Sequence, residues 1–585
     1  MKNLAFLFAA AAAMIVAACN SDNVILDDRG PLPEVVFDHP DGVYTVKTGR
    51  QLTLVPAVEH AGEEGYEWIL DDVSVGRELS HTFSFDEPQT HYATFKATNA
   101  AGTTSVDLRI EAVAAAPPAI SLALASESVQ VLPDTDCTFT PVYANSSGDD
   151  FRCEWRLDGI VVSTGRSYTF RAGSTGLYLL TVTATNEDGE ASHEIRIEVV
   201  ASLPQSVRFA QQSYLQRSTD RSAIAGRPLY LEPITENFAA PRFEWRVDGI
   251  VQEQAADRTF VFTPRHEGEY SVSVSVSDAE GGATCQAAVK VHCAAAAVPR
   301  EKSASSLRTQ SCVFEYTPAP GQFINETQTG GFTSEITTHE AAAAYAAARM
   351  DERKFVSLGG FGGYIVVGFD HSVTNRGGSG YDFAIQGNAF LSNAGGSNEP
   401  GIVWVMQESN GNGLPDDEWY ELRGSESGSE GTIRNYSVTY YRPQAPQMPV
   451  QWSDSEGNSG TIDYMKVFHR QDFYYPLWVE AGSYTLCGTR LAPRNTEDSA
   501  GNWHNNAFGW GYADNCGEDN MADGDAGGEG QITGFRIDNA MQPDGTPVEL
   551  DFIDFVKVQT ALNTKSGALG ENSTEVYSFT DLSME

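Results

Sequence analysis

The sequence predicts an all-β protein: three tandem β-sandwiches followed by a larger jelly-roll-like β-sandwich with one helix. Three observations predict it. A Trp-centred phrase recurs three times at near-constant spacing, the mark of a repeated structural unit. Runs with a period of two, such as Tyr270-Ser271-Val272-Ser273-Val274-Ser275-Val276, put valines on one face of a strand and small polar residues on the other. Beyond Cys312 the texture becomes Gly-rich and aromatic, with long apolar strands and a single strong helix pattern.

The repeated phrase is Glu67-Trp68-Ile69-Leu70-Asp71-Asp72, then Glu154-Trp155-Arg156-Leu157-Asp158-Gly159, then Glu244-Trp245-Arg246-Val247-Asp248-Gly249. A strand and a turn follow each: Thr98-Asn99-Ala100-Ala101-Gly102, Thr185-Asn186-Glu187-Asp188-Gly189, and Ser277-Asp278-Ala279-Glu280-Gly281. A mid-strand Trp fills the space between two sheets. Asp-Gly pairs suit tight turns that need φ > 0. These repeats resemble PKD-type Ig-like domains of bacterial surface proteins, over roughly residues 31 to 293. The usual Trp-x-Phe-Gly-Asp-Gly is replaced here by Trp-x-Leu/Val-Asp-Gly. The resemblance implies spacer or adhesion modules and carries over no catalytic residue. The expected modules are 31–115, 116–201 and 202–294.

Cys153 precedes Trp155 by two residues and shares its inward face. Cys137 lies on the preceding apolar strand, aligned with Leu52 of the first repeat, and is also expected inward. A Cys137–Cys153 bridge between the sheets follows, worth about 3 kcal/mol from loop closure. Two buried thiols are the alternative. Besides Cys19 there are seven cysteines, so at least one thiol is unpaired or pairs elsewhere.

A small-residue and charged linker, 295–311, leads into the last domain, 312–585. Thr337 and Glu340 read as a capping box for a helix over Ala341 to Arg349, whose alanines favour it. Strands dominate beyond Gly359-Gly360: Tyr364 to Phe369, Gly401 to Met406, Tyr436 to Tyr440, and Phe552 to Val558.

The N-terminus sets the compartment. Met1-Lys2-Asn3 precedes an apolar run, Leu4 to Ala18, too short to span a bilayer, which takes about 20 residues. It reads as a signal peptide, residues 1–18. Its end, Val16-Ala17-Ala18-Cys19, resembles a bacterial lipobox. That resemblance implies acylation of Cys19 and anchoring in a lipid bilayer, with 19–30 as a polar tether. The net charge of −41 argues against nucleic acid, whose phosphates require basic patches.

Three constellations could carry chemistry. Glu408-Ser409-Asn410-Gly411-Asn412-Gly413-Leu414-Pro415-Asp416-Asp417-Glu418 resembles the calcium loops of thrombospondin type 3 and dockerin-like repeats. The resemblance implies calcium held by Glu408, Asn410, Asn412, the Leu414 carbonyl and Asp416, with Glu418 or Glu421 closing the shell because Trp419 occupies the expected carboxylate position. Calcium takes 6–8 oxygens; an Asn-Gly turn that binds nothing is the alternative. A second acidic stretch, Asp514, Glu518, Asp519, Asp523, Asp525 and Glu529, is irregularly spaced and reads as a solvated loop, with a metal site as the alternative. Third, Trp503, His504, Phe508, Trp510 and Tyr512 sit among Gly and Asn, near Asp472 to Trp478. Aromatics with polar handles suit sugar or cofactor rings, so Trp503, His504, Trp510 and Tyr512 are the candidate ligand-binding residues, with packing of the loops onto the sandwich as the alternative. Cys487 and Cys516 flank this loop and could staple it.

Catalytic signatures are lacking: no Gly-x-Ser-x-Gly, His-Glu-x-x-His, Cys-x-x-Cys or P-loop. Binding is expected instead of catalysis. The whole architecture resembles surface lipoproteins of Bacteroidota-type bacteria, carried in the last domain by Gly363 to Asp370, Tyr381 to Asn388 and Asp554 to Val558. The resemblance implies an outer-membrane, surface-exposed protein that captures a glycan or corrinoid for a TonB-dependent transporter. An adhesin, or less readily a glycan-active enzyme, is the alternative. The three modules are expected to form a stalk that holds the last domain on the order of 100 Å from the bilayer.

Overall fold

In the computed structural model, residues 30–584 are described, except Pro40, Glu64, Glu280, Gly282, Asn393, Ala394 and 522–529. The expected signal peptide, Cys19 and most of the tether lie outside the described residues. So do Asp523, Asp525 and Glu529.

Three modules share one topology. In the first, Val43–Lys47 runs parallel to Gly102–Val113, which continues through Gln89–Asn99, Gly65–Leu70 and Val73–Gly76 in a five-stranded sheet. Two short ladders, Glu34–Val36 with Ala57–Glu59 and Gln51–Leu54 with His81–Ser84, form the facing layer. The second and third modules repeat the sheet, with Ser128–Val131 parallel to Gly189–Val199 and Arg221–Ile224 parallel to Cys285–Ala294. Trp68, Trp155 and Trp245 are fully buried between the layers. Each indole N–H donates to a backbone carbonyl, of Glu78 (3.1 Å), Gly165 (2.9 Å) and Asp257 (2.9 Å) respectively. The Asp of each repeated phrase adopts positive φ (46° at Asp71, 49° at Asp158 and Asp248). Its carboxylate accepts the N–H of Tyr92, Leu179 or Ser271 on the neighbouring strand. The following residue is also left-handed: Gly159 and Gly249, but Asp72 in the first module.

The last domain is built on a six-stranded antiparallel sheet. Its order is Cys312–Thr317, Tyr364–Thr374, Phe552–Thr560, Gly401–Met406, Trp419–Leu422 and Ala540–Met541. A four-stranded sheet (Ser459–Ile462, Val450–Asp454, Ile433–Tyr441, Ser483–Arg490) and a three-stranded sheet (Ile532–Phe535, Phe383–Gln386, Ser578–Asp581) pack with it around a main core, beside a smaller cluster that includes Ile402, Phe508 and Tyr512. The helix is His339–Asp351. Its N-cap is Thr338, one residue beyond the expected Thr337, and the Thr338 hydroxyl accepts the Ala341 N–H at 3.2 Å. Among the described residues no helix is long and apolar enough to cross a membrane.

The second and third modules do not stand as a free stalk for this domain. The Leu122 N–H donates to Gln444 Oε1 (2.8 Å), and Gln451 reaches the Thr140 carbonyl. From the third module, the Tyr214 N–H donates to the Tyr364 hydroxyl (3.0 Å), the Tyr230 hydroxyl to Asp544 (2.7 Å), and Arg227 to Gln407 and the Glu549 carbonyl. The expected three-module stalk fails for these two modules, which expend polar edges and Tyr214 on docking.

Candidate functional site

The ladder registers sort the six-stranded sheet into two chemically distinct faces. Ile365, Val367, Val403, Val405, Val556 and Val558 share one face and are buried. Pairings Trp404 with Lys557 and Glu421, and Val366 with Lys557 and Glu315, put Trp404, Trp419, Glu421, Lys557, Glu315 and Tyr364 on the other. The third module docks over this second face. Between them lies a cavity of about 590 Å³, walled by Trp404, Trp419, Glu418 and Glu421 of the sheet and by Arg221 and Tyr230 of the module. Arg434 and Thr489 of the four-stranded sheet close one side. Clefts at domain interfaces with apolar walls and a few converging polar groups are the usual ligand sites.

Lys557 Nζ sits 4.7 Å from the Trp404 ring centroid and 5.1 Å from that of Trp419, a cation–π arrangement strengthened by burial. Burial lowers the Lys557 ammonium to about 8, against the carboxylates of Glu315, Glu421 and Glu418, which hold it up. Burial pushes Glu418 up to about 7, partly countered by Arg221 and Lys557 and reinforced by Asp417. Glu421 is raised by burial despite the Thr489 hydroxyl, which donates to it at 2.5 Å. Trp404 Nε1 and Glu418 Oε2 are buried with no hydrogen-bond partner. Leaving such groups unpaired costs about 1–3 kcal/mol each, and perturbed ionisation in a cleft marks functional sites.

The expected calcium shell does not assemble. Glu408 is fully buried, and its carboxylate accepts the N–H groups of Asn410, Gly411 and Gly413. Asn410 and Asn412 donate their amides to the two oxygens of Asp416, at 3.0 and 2.8 Å. Their own oxygens accept the N–H groups of Asn412 and Leu414. The Leu414 carbonyl accepts the Asp416 N–H. Glu418 and Glu421 both wall the cavity instead. The loop therefore satisfies its own oxygens.

The four expected ligand-binding residues also diverge. Tyr512 is 1% exposed, packed on Phe508, and its hydroxyl accepts the Glu426 N–H. Trp503 is half-buried on a short hairpin and lies against Gly567, where a Cβ would come within 2.3 Å of its Nε1. His504 points to Asp498 at 3.3 Å. Trp510 walls a separate cleft of about 270 Å³ with Tyr381, Asp519 and Arg536. The second acidic stretch is not a solvated loop at Asp514 and Asp519, both of which are buried.

Neither expected disulfide forms; the seven described cysteines are free. Cys137 and Cys153 both lie on inward-facing positions but at opposite ends of the sandwich. Cys137 pairs with Phe170, which packs on Tyr178. Cys153 pairs with Ala184, beside Tyr143 and Phe151 at the other end of the same strand, Gly176–Asn186. From the Phe139–Trp155 contact the two strands lead in opposite directions. Cys487 lies near Lys557 on the four-stranded sheet, whereas Cys516 sits beside Asp514, so they do not staple one loop.

Sequence reasoning missed Trp404, Trp419 and Lys557, and gave Glu421 to a calcium shell instead of this cleft. One signal was present: Lys557 is a lone cation within the apolar Phe552–Val558 run.

Residues 32–99, within the first module, match the PKD-like domain family. No curated protein matches the chain. Among solved structures, the fibronectin(III)-like modules of Clostridium thermocellum CbhA are 16% identical, over 28% of this chain and 94% of that one, with a TM-score of 0.20. Three domains of titin, I67–I69, are 15% identical over 44% and 98%, TM-score 0.21. Three N-terminal domains of the bacteriophage RB49 Hoc capsid protein are 15% identical over 45% and 98%, TM-score 0.22.

Proposed function

We propose that this chain is a lipid-anchored surface protein that binds, without transforming, a short glycan in the cleft between its third module and its last domain. The observation that carries the reading is the cleft wall: two half-buried indoles, Trp404 and Trp419, beside the carboxylates Glu418 and Glu421 and the guanidinium groups of Arg221 and Arg434. Indoles offer broad apolar surface with one polar handle, and carboxylate and guanidinium groups supply the acceptors and donors that hydroxyls need. A volume near 590 Å³ falls within the about 300–1,000 Å³ typical of drug-sized ligands, which favours a few sugar rings over a corrinoid macrocycle. Anchoring through Cys19 in the outer membrane, outward display and delivery to a TonB-dependent transporter complete the proposal. They rest on the lipobox-like Val16-Ala17-Ala18-Cys19 and on the resemblance to surface lipoproteins.

The test is a glycan panel against the purified full chain, followed by calorimetric titration of any hit. Trp419→Ala is expected to weaken binding at least ten-fold with circular dichroism unchanged. Unaltered affinity in that variant overturns the site. Binding of an extracellular-matrix protein with no glycan bound supports the adhesin reading, which the repeated modules favour. Palmitate labelling lost in Cys19→Ser checks the anchor.

A further inference from the structure

A second cluster lies apart from the cleft walls and is built only of acids. Glu399 precedes the strand Gly401–Met406, Asp514 follows Ala513, which bridges to Gly401, and Glu575 begins the short strand Glu575–Val576. The backbone ties the three segments together. The Glu399 N–H donates to the Asp514 carbonyl (3.1 Å), the Glu575 N–H to Asp514 Oδ2 (3.0 Å), and the Thr574 hydroxyl to the Glu399 carbonyl (2.8 Å). One carboxylate oxygen from each residue lies within 4.8 Å of the other two.

Two independent features mark this cluster out from ordinary surface acids. Asp514 and Glu575 are 0% and 2% exposed, and Glu575 Oε1 has no hydrogen-bond partner. Gln531 is fully buried, and its Oε1 is also unpartnered. A Cβ on Gly387 would meet Asp514 Oδ1 at 2.5 Å and Gln531 Oε1 at 2.7 Å, so these two oxygens flank the same space. The charges that act most strongly on Glu399 and Glu575 are other carboxylates: Asp514 and Glu571 on the first, Glu399 and Asp514 on the second. Burial and this repulsion push Glu399 up to about 8 and burial pushes Asp514 up to about 7.

We propose that Glu399, Asp514 and Glu575, with Gln531 Oε1 beside Asp514, form a binding site for a hard divalent cation of calcium type. The donor set is all oxygen, which selects hard cations. Oxygens on opposite sides of a calcium ion stand about 5 Å apart, from bonds of about 2.3–2.6 Å, so the observed separations need little closure. The ion supplies positive charge to the acid cluster and clips three chain segments that lie far apart in sequence. The assignment is independent of the glycan reading, because none of the four residues walls the cleft.

The test uses the full chain stripped with chelator, desalted and titrated with calcium and separately with magnesium, by calorimetry and by melting temperature. Calcium is expected to bind and to raise the melting temperature. Glu399→Gln should weaken it at least ten-fold. Among the described residues that side chain accepts the Asn572 amide (3.3 Å) and the Ser573 N–H (3.4 Å), so the variant should fold, as circular dichroism will report. Asp416→Asn, in the Asn-Gly loop, should leave the isotherm unchanged. Absence of calcium binding to wild type overturns the proposal. So does an isotherm that survives Glu399→Gln and is lost in Asp416→Asn. A Glu399→Gln variant that melts higher than wild type in chelator, with no calcium response in either, shows a proton-sharing cluster instead and also overturns it.

Discussion

The three N-terminal modules and the last domain solve the problem of burial in opposite ways. Inside the modules the buried residues are almost all apolar, and the described buried polar ones are Ser121 and Ser222. The last domain buries Glu315, Glu408, Asp417, Glu421, Asp514, Asp554, Glu571 and Glu575, among others. Burying a carboxyl is costly unless it is paired or neutralised. A fold that tolerates this repeatedly in one domain and never in the other three has placed its chemistry in that domain. The module cores hold shape; the last domain buries the carboxyls, and the third module adds Arg221 and Tyr230 at the cleft.

The largest effect should come from breaking this contrast at its two kinds of Trp. Trp155→Ala removes a fully buried ring and should cost about 3–5 kcal/mol, seen as an early urea transition of the second module. Trp404→Ala removes a half-buried ring on the cavity wall and should cost far less stability while abolishing glycan binding. Equal losses of stability in the two variants would erase the distinction.

A smaller effect should appear in the pH dependence of the cleft. The folded-state pKa of Glu418 is raised to about 7 from 4.5, so between those values the folded chain holds a proton that the unfolded chain has released. Its contribution is therefore fully present below about pH 4.5 and is lost as pH rises through about 7. Glu418→Gln should raise the urea midpoint at pH 8 more than at pH 5. An equal shift at both values would contradict the ionisation argument.

The smallest effect sharpens the comparison among the modules themselves. Asp72 holds φ 68° where the other repeats have Gly159 and Gly249. Asp72→Gly should stabilise the first module by about 0.5–1 kcal/mol, since left-handed backbone costs a residue with a Cβ about 1–2 kcal/mol and Gly returns part of that as unfolded-state entropy. Unchanged melting of the first module would show that the Asp pays no strain there.

The modules were legible because their signals are local. Trp68, Trp155 and Trp245, and the Asp three positions on from each, recur in one short phrase, and the all-β class followed from it. The helix was legible but its cap was displaced by one, because Thr337 and Thr338 offer the same hydroxyl. The cleft was not legible. Trp404 meets Lys557 through a ladder between strands more than a hundred residues apart in sequence, and nothing local sets that register. The aromatics of 503–512 misled for the converse reason. Their Gly-rich setting looks exposed, yet the glycines admit rings: a Cβ on Gly424 would come 2.5 Å from Tyr512. The disulfide between Cys137 and Cys153 failed on direction along the strand, which a facing pattern does not encode.

The parallel pairing of the first sheet strand with the last in every module has a mechanical consequence. Val43–Lys47 lies beside Gly102–Val113, and its counterparts Ser128–Val131 and Arg221–Ile224 lie beside Gly189–Val199 and Cys285–Ala294. Tension on the two ends of a module pulls these neighbours in opposite senses along their length. The rungs between them are then sheared together instead of peeled one by one, so rupture demands that all yield at once. Such a module resists flow and traction by its wiring, whatever its equilibrium stability, since forced unfolding is governed by the rate of escape.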